Sequence, residues 1–191
     1  MRPLIIIGGG GHAAVLAETA RAAGFEVAGY AAPEPGGRSF APYLGPDEGL
    51  EARCAPGRFD LVIGVGSIAP TLRRGDLFRG FAGRGYGFAT IIHPAATVAA
   101  SARVGSGAQV MAGCVLQTGV TIGDNVIVNT RASIDHDSVV GAHSHIAPGA
   151  ILCGGVTVGA AAHVGPGAVL IQNCRVPDMG FVRAGEVVSH A

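Results

Sequence analysis

Histidine is the side chain through which this chain could do acid–base chemistry near neutral pH. There are seven: His12, His93, His136, His143, His145, His163 and His190. His136 stands out because it sits between two carboxylates, in the run Asp135-His136-Asp137. A neighbouring carboxylate fixes the imidazole tautomer and favours the protonated ring that a general base becomes. The plainer reading of the same trio is an exposed polar corner. Lysine is absent, all 13 basic residues being arginine. That excludes Schiff-base chemistry and a Walker-A phosphate loop, both of which need a lysine amine. Cys54, Cys114, Cys153 and Cys174 show neither CxxC spacing nor a paired pattern. They read as buried, reduced thiols of a cytoplasmic protein.

A second candidate site is the glycine run in Ile6–Ala13, IIGGGGHA. Gly8-x-Gly10-x-x-Ala13 follows an apolar strand and opens a helix, as a dinucleotide fingerprint does. Backbone N–H groups at such a helix start hold a phosphate whatever nucleotide carries it. A nicotinamide cofactor would need an acid at the end of the second strand, where this chain has Tyr30-Ala31-Ala32. NAD is therefore disfavoured, and a plain tight turn is the alternative to a phosphate site.

Two kinds of element must position these residues. Residues 1–85 read as a small α/β unit with strands at Leu4–Ile7, Phe25–Tyr30 and Asp60–Val65. Helices are expected over Ala13–Ala23 and Ile68–Gly83, with a loop at Ala31–Gly37, and this alternation implies a parallel sheet. Residues 86–191 change character, with His93-Pro94 at the junction. Every sixth residue from Ile92 through Val188 is Ile, Leu or Val, seventeen positions in all. Four residues after most of them comes a small residue, as at Ala108, Cys114, Ala132, Ser138 and Ala150. Gly105, Gly123, Gly141 and Gly159 recur at intervals of 18, three six-residue strands to a turn. This is a parallel β-helix of about five coils, a stack in which each coil contacts its neighbours. The recurrent glycines are expected to mark a corner that needs a permissive backbone.

The composition agrees. Glycine occurs 32 times in 191 residues and aromatics make up 5%, with no Trp. A narrow prism has no room for stacked rings. Thirteen acids balance the arginines, so no global field draws nucleic acid or anionic lipid. The uncharged stretch Ser138–Cys174 is broken by Gly, Pro, Ser and His. It lacks the ~18 continuous apolar residues of a membrane span, so no membrane insertion is expected. The run Leu4–Ile7 stops too soon for a signal-peptide core of ~7–15 residues.

Seventeen hexapeptides behind a small glycine-rich α/β domain resemble the left-handed β-helix sugar acetyltransferases. The combination of Ile6–Ala13, Ile91–Pro94 (IIHP) and Val128–Asp137 (VNTRASIDHD) is most similar to one subfamily. It includes the bacillosamine-pathway N-acetyltransferase and sialic-acid O-acetyltransferases. The resemblance implies a left-handed coil and direct acetyl transfer from acetyl-CoA to an amino sugar carried on a nucleotide diphosphate. Transfer to a sugar hydroxyl is the alternative within the class. By the same resemblance His136 is the general base and Asp137, where the family often has Glu, supports it. His145 contacts acetyl-CoA, and the Gly154 N–H receives the thioester oxygen. Pro166 and Ala184 fall at further coenzyme contacts, and Asn129 lies beside the substrate amine. Gly10, Gly11, His12 and Gly66 match contacts to the nucleotide sugar. The family usually carries Asp at the places of Ala31 and Ala32.

His136 and His145 are half a coil apart, so they face different sides of one prism. A homotrimer with active sites between subunits would bring them together, and the resemblance implies one too. A rival reading makes the histidines zinc ligands, as in β-helix carbonic anhydrases, because His145 and His163 stack at a spacing of 18. The His-x4-His pair of those enzymes is missing here. A structural trimer without catalysis is the remaining alternative.

Overall fold

The computed structural model describes residues 2–70 and 72–189, so His190 lies outside the described residues. The chain opens with four strands, β1 (Leu4–Ile7), β2 (Val27–Ala31), β3 (Asp60–Ile63) and β4 (Gly87–Phe88). They form one parallel sheet in the order β2-β1-β3-β4. All four residues of β1 are buried, which is why it reads as an unbroken aliphatic run without alternation. Helix α1 (Gly11–Ala22) buries Ala13, Leu16, Ala17 and Ala20, the spacing of a single helical face. Gly10 is its N-cap, and so it starts earlier than the expected Ala13. Helix α2 (Leu50–Arg53) is a single turn, too short for a hydrophobic period to reveal. Helix α3 (Arg73–Gly83) is shorter than the expected Ile68–Gly83. Pro70 disfavours the helical conformation for the residue before it, and Ile68 is 93% exposed.

Outside β2 a further stretch of chain runs parallel to it. Tyr30 N–H donates to Pro42 O at 2.9 Å, and Leu44 N–H donates to Tyr30 O at 2.9 Å. The sheet thus has an irregular fifth edge that ends near the carboxyl end of β2.

From β5 (Ile91–Ile92) to β21 (Val187–Val188) the chain forms seventeen two-residue strands in three parallel sheets of six, six and five. Each strand pairs with the strand 18 residues on, as Val128 does with Ile146 and Ile134 with Leu152. The result is a β-solenoid of about five turns, consistent with the expected left-handed β-helix. Its three faces begin at Ile91–Ile92, at β6 (Thr97–Val98) and at β7 (Arg103–Val104), and are called faces one, two and three. The aliphatic ladder points inward, and from Val110 through Val182 every rung is buried. Ala108, Cys114, Ala132, Ser138 and Ala150 are buried beside it. The ladder shares one core with β1, β3 and α1, which close over face one. No helix among the described residues is long and apolar enough to cross a membrane.

The recurrent glycines have a different cause from the one expected. Positive φ in that column falls two residues later, at Gly107 (69°), Asn125 (54°), His143 (66°), Ala161 (52°) and Met179 (56°). Gly105, Gly123, Gly141 and Gly159 are needed for space. A Cβ on Gly141 would lie 2.6 Å from Ala160 N and from Gly159 C in the next coil. One on Gly123 would lie 2.7 Å from Ala142 N. These are backbone atoms and cannot swing aside. Gly141→Ala should therefore cost about 3 kcal/mol or more. Gly167→Ala, at φ +66° with nothing within 4 Å of the added carbon, should cost only about 1 kcal/mol for its left-handed backbone. Urea denaturation of the two variants measures the difference.

Candidate active site

The first component is a cavity of about 350 Å³ at the carboxyl ends of β1, β2 and β3. Parallel sheets bind ligands at this end, where neighbouring strands lead in opposite directions. Gly8–Gly11 form its floor, with Ala31, Ala32, Gly66, Asp47 and Arg73 on the walls. Helix α1 has no acidic residue in its first turn and no side-chain cap. Its first N–H groups are therefore available to an anion. A Cβ added at Gly10 or Gly11 would meet nothing within 4 Å, because both face the open cavity. Gly9 is bare for another reason, since a Cβ there would lie 3.0 Å from the Tyr30 ring.

A second cavity, of about 510 Å³, adjoins the first and shares His12, Val65, Gly66 and Arg73 with it. It is also lined by Ser67, Ile68, Asn129 and His145. Here a hydrogen-bond network fixes every tautomer. Gln109 Nε2 donates to Ile63 O at 2.8 Å, so its Oε1 accepts from His12 Nε2 at 2.7 Å. His145 Nδ1 lies 2.9 Å from Ser67 O, a group that can only accept, so Nδ1 carries the proton. His145 Nε2 then accepts from Asn129 Nδ2 at 3.0 Å. Asn129 Oδ1 is taken by Thr130 N–H at 2.8 Å, leaving the second Nδ2–H for a ligand. Burial lowers His12 to about 4 even though the Gln109 bond raises it. Burial, and then the nearby Arg74 charge, lower His145 to about 3. Both rings are neutral at physiological pH.

His136 belongs to a third place, the edge between faces two and three. It lies in the turn joining β12 (Ser133–Ile134) to β13 (Val139–Val140). Its side chain is 62% exposed. The two flanking acids have separate tasks. His136 Nδ1 donates to Asp137 Oδ2 at 2.9 Å, while the His136 backbone N–H donates to Asp135 Oδ1 at 2.8 Å. The Asp137 hydrogen bond, and after it the Asp135 charge, raise His136 above the ordinary imidazole value. Nε2 is left as the lone-pair nitrogen, and it lies over Gly154 in the next coil. A Cβ on Gly154 would sit 2.5 Å from that nitrogen. The Gly154 N–H makes no hydrogen bond among the described residues, although its carbonyl accepts from Asn173 N–H at 3.0 Å. A proton acceptor and an unengaged N–H donor therefore stand side by side in a cradle that any side chain would fill.

Within one chain these components do not meet. His136 and Gly154 stack on the edge between faces two and three. Asn129, Pro166 and Ala184 lie in turns on the edge between faces one and two, where Gly185 N–H donates to Pro166 O at 2.9 Å. His145 is on face one, buried against the α/β lobe. Its ring is edge-on to His163 at 5.0 Å between centroids. Among the described residues no group of three or more His, Cys, Asp or Glu is arranged to hold a metal ion. Sequence reasoning overlooked Gln109, Ser67 and Arg74. Gln109 could have been found by reading outward positions at the 18-residue interval, because it shares its column with His145 and His163. Nothing in the local sequence marks Ser67 or Arg74.

Comparison with known proteins places this geometry. Residues 3–74 match the family described as the PglD N-terminal domain, and residues 101–136 match the bacterial transferase hexapeptide of six repeats. The acetyltransferase domain of PglB from Neisseria gonorrhoeae FA1090 is 36% identical, over 100% of this chain and 92% of that one, with a TM-score of 0.91. The same domain has been solved in complex with acetyl coenzyme A, and there the TM-score is 0.90 at 35% identity over 98% of this chain and 92% of that one. PerB from Caulobacter crescentus, in complex with CoA and GDP-perosamine, is 36% identical over 100% of this chain and 90% of that one, with a TM-score of 0.91. The chain is accordingly an acyltransferase that belongs to the hexapeptide-repeat β-helix sugar acetyltransferase family.

Proposed function

We propose that this enzyme transfers the acetyl group of acetyl-CoA to the amino group of a nucleotide-linked amino sugar, with His136 as general base. The observation that carries the reading is the pairing of the His136 Nε2 lone pair with the unengaged Gly154 N–H. The complex of PerB with CoA and GDP-perosamine supports the nucleotide-sugar substrate. Acetyl-CoA supplies a thioester carbonyl that is already activated towards attack. His136 Nε2 takes the proton that the sugar nitrogen releases as it attacks. Asp137 keeps the ring oriented through Nδ1 and stabilises the imidazolium that forms. The Gly154 N–H donates to the carbonyl oxygen as negative charge gathers there. His136 then returns its proton to the departing thiolate, and the neutral ring is restored.

The labour divides along the chain. Residues 1–85 hold the nucleotide diphosphate, with Gly10 and Gly11 at the phosphates and His12 and Gly66 between the two cavities. Residues 86–191 perform the transfer. Asn129 meets the sugar, His145 orients Asn129 and contacts the coenzyme, and Pro166 and Ala184 line the coenzyme's path. These groups converge in a homotrimer, where the edge bearing Asn129 on one subunit faces the edge bearing His136 on the next. Face two lies between these edges, and its outward residues Thr97, Val115, Ser133, Ile151, Val169 and Val187 include no charge. Ile151 and Val187 are 44% and 63% exposed, which suits a face buried against a second copy. The four free thiols fit a cytoplasmic enzyme.

His136→Ala should lower kcat by ~10²–10⁴ while light scattering shows an unchanged trimer. Undiminished turnover would remove His136 from the mechanism. The pH profile gives an independent reading. The base must be neutral, so kcat/KM falls as pH drops through the raised His136 pKa. Asp137→Asn removes the main cause of that rise, and the acid limb should move to lower pH as the maximal rate falls.

A further inference from the structure

We infer that Asp47 is the carboxylate that receives the ribose hydroxyls of the nucleotide, in place of the acid that β2 lacks. The inference rests on the nucleotide-sugar reading above and adds a residue that discriminates ribose from deoxyribose. Glycine-rich nucleotide sites of this topology take the ribose diol on an acid near the end of the second strand. Here that strand ends in Ala31, fully buried, and continues into Ala32, 6% exposed. Neither can accept a hydrogen bond through its side chain. The same cavity nevertheless contains one acidic side chain, Asp47.

The chain delivers Asp47 there by a specific route. The stretch from Pro42 pairs in parallel with β2 through Tyr30, and Ala32 N–H donates to Gly45 O at 3.3 Å. Residues that follow Gly45 must therefore emerge at the carboxyl end of the sheet, beside Ala32 and Pro33. The loop is then held in place. Arg53 donates from Nε to Leu44 O at 2.9 Å, and from Nη2 to Pro46 O and to Glu48 O, the latter at 3.2 Å. Arg84 Nη1 lies 3.4 Å from Asp47 O. The backbone around Asp47 is thus fixed by two guanidiniums, while its own carboxylate has no hydrogen bond or ion pair among the described residues. A positioned, unpartnered carboxylate some way along a cavity from a cluster of helix N–H groups suits one ligand feature. That feature is a vicinal diol carried on a diphosphate, because two O–H donors match two carboxylate oxygens.

Calorimetry on the full chain with GDP, UDP and their 2′-deoxy counterparts tests this. Wild-type protein should bind each ribonucleotide about 10-fold or more tightly than its deoxy counterpart. Asp47→Ala should weaken the ribonucleotides by about 100-fold and the 2′-deoxy forms, which keep one hydroxyl on Asp47, by about 10-fold, abolishing the preference. Asp47→Asn, which keeps the shape and one acceptor, should fall between the two. Equal losses for ribo and deoxy forms, or a wild-type protein without ribose preference, would overturn the role of Asp47 while leaving nucleotide binding intact. Failure of the wild-type protein to bind any of the four probes would overturn the nucleotide-sugar reading as well.

Discussion

The rest of the structure depends on the vertical register of the solenoid. Backbone hydrogen bonds of 2.7–3.0 Å tie nearly every strand to the coil above, so position i lies over position i + 18 with little freedom. That register turns sequence spacing into chemistry. It puts the bare backbone of Gly154 under the His136 ring and the carboxylate of Asp137 against the glycine turn at Gly119. It also makes the edges tight enough that Gly123 and Gly141 carry no side chain. A histidine on a flexible loop would need other groups to hold it. Here the coil fixes the turn and two aspartates complete the work.

The α/β lobe relies on burial in a different sense. Arg74 is fully buried and donates to the backbone carbonyls of Val65 and Asn125, so its cation holds the second cavity's wall against the solenoid with no carboxylate partner among the described residues. A buried charge left in this way depends on carbonyl dipoles for its stabilisation. It also discourages protonation of His12 and His145 nearby. The second cavity consequently presents two neutral histidines of fixed tautomer beside Arg73, while His136 stands elsewhere, in solvent and beside anions. The two environments push histidines in opposite directions, which in the proposed mechanism separates binding from proton transfer.

Much of this could be read from the residues alone, because a six-residue aliphatic period has one structural meaning. The glycine run before α1 and the acid-flanked His136 were visible for similar reasons, each being a local pattern. What escaped was non-local. Ser67 reaches His145 across 78 residues and Arg74 reaches Asn125 across 51, and neither carries a sequence pattern. The glycine column misled about cause, since a close approach between coils leaves the same mark in a sequence as a left-handed turn. Ile68 and Leu72 share a helical spacing, but Pro70 between them keeps the helix from starting before Arg73. Asp47 was passed over because only the irregular pairing beyond β2 brings it to the cavity.

In the proposed trimer, His136 on one subunit serves the Asn129 pocket of its neighbour. Mixing two inactive variants, His136→Ala and Asn129→Ala, tests it most directly once native mass spectrometry has confirmed subunit exchange. A mixed trimer then contains one boundary with both wild-type groups, and the mixture should recover a substantial fraction of one site's activity per mixed trimer. Mixed trimers that form and remain as inactive as either parent would contradict a site built across the subunit boundary.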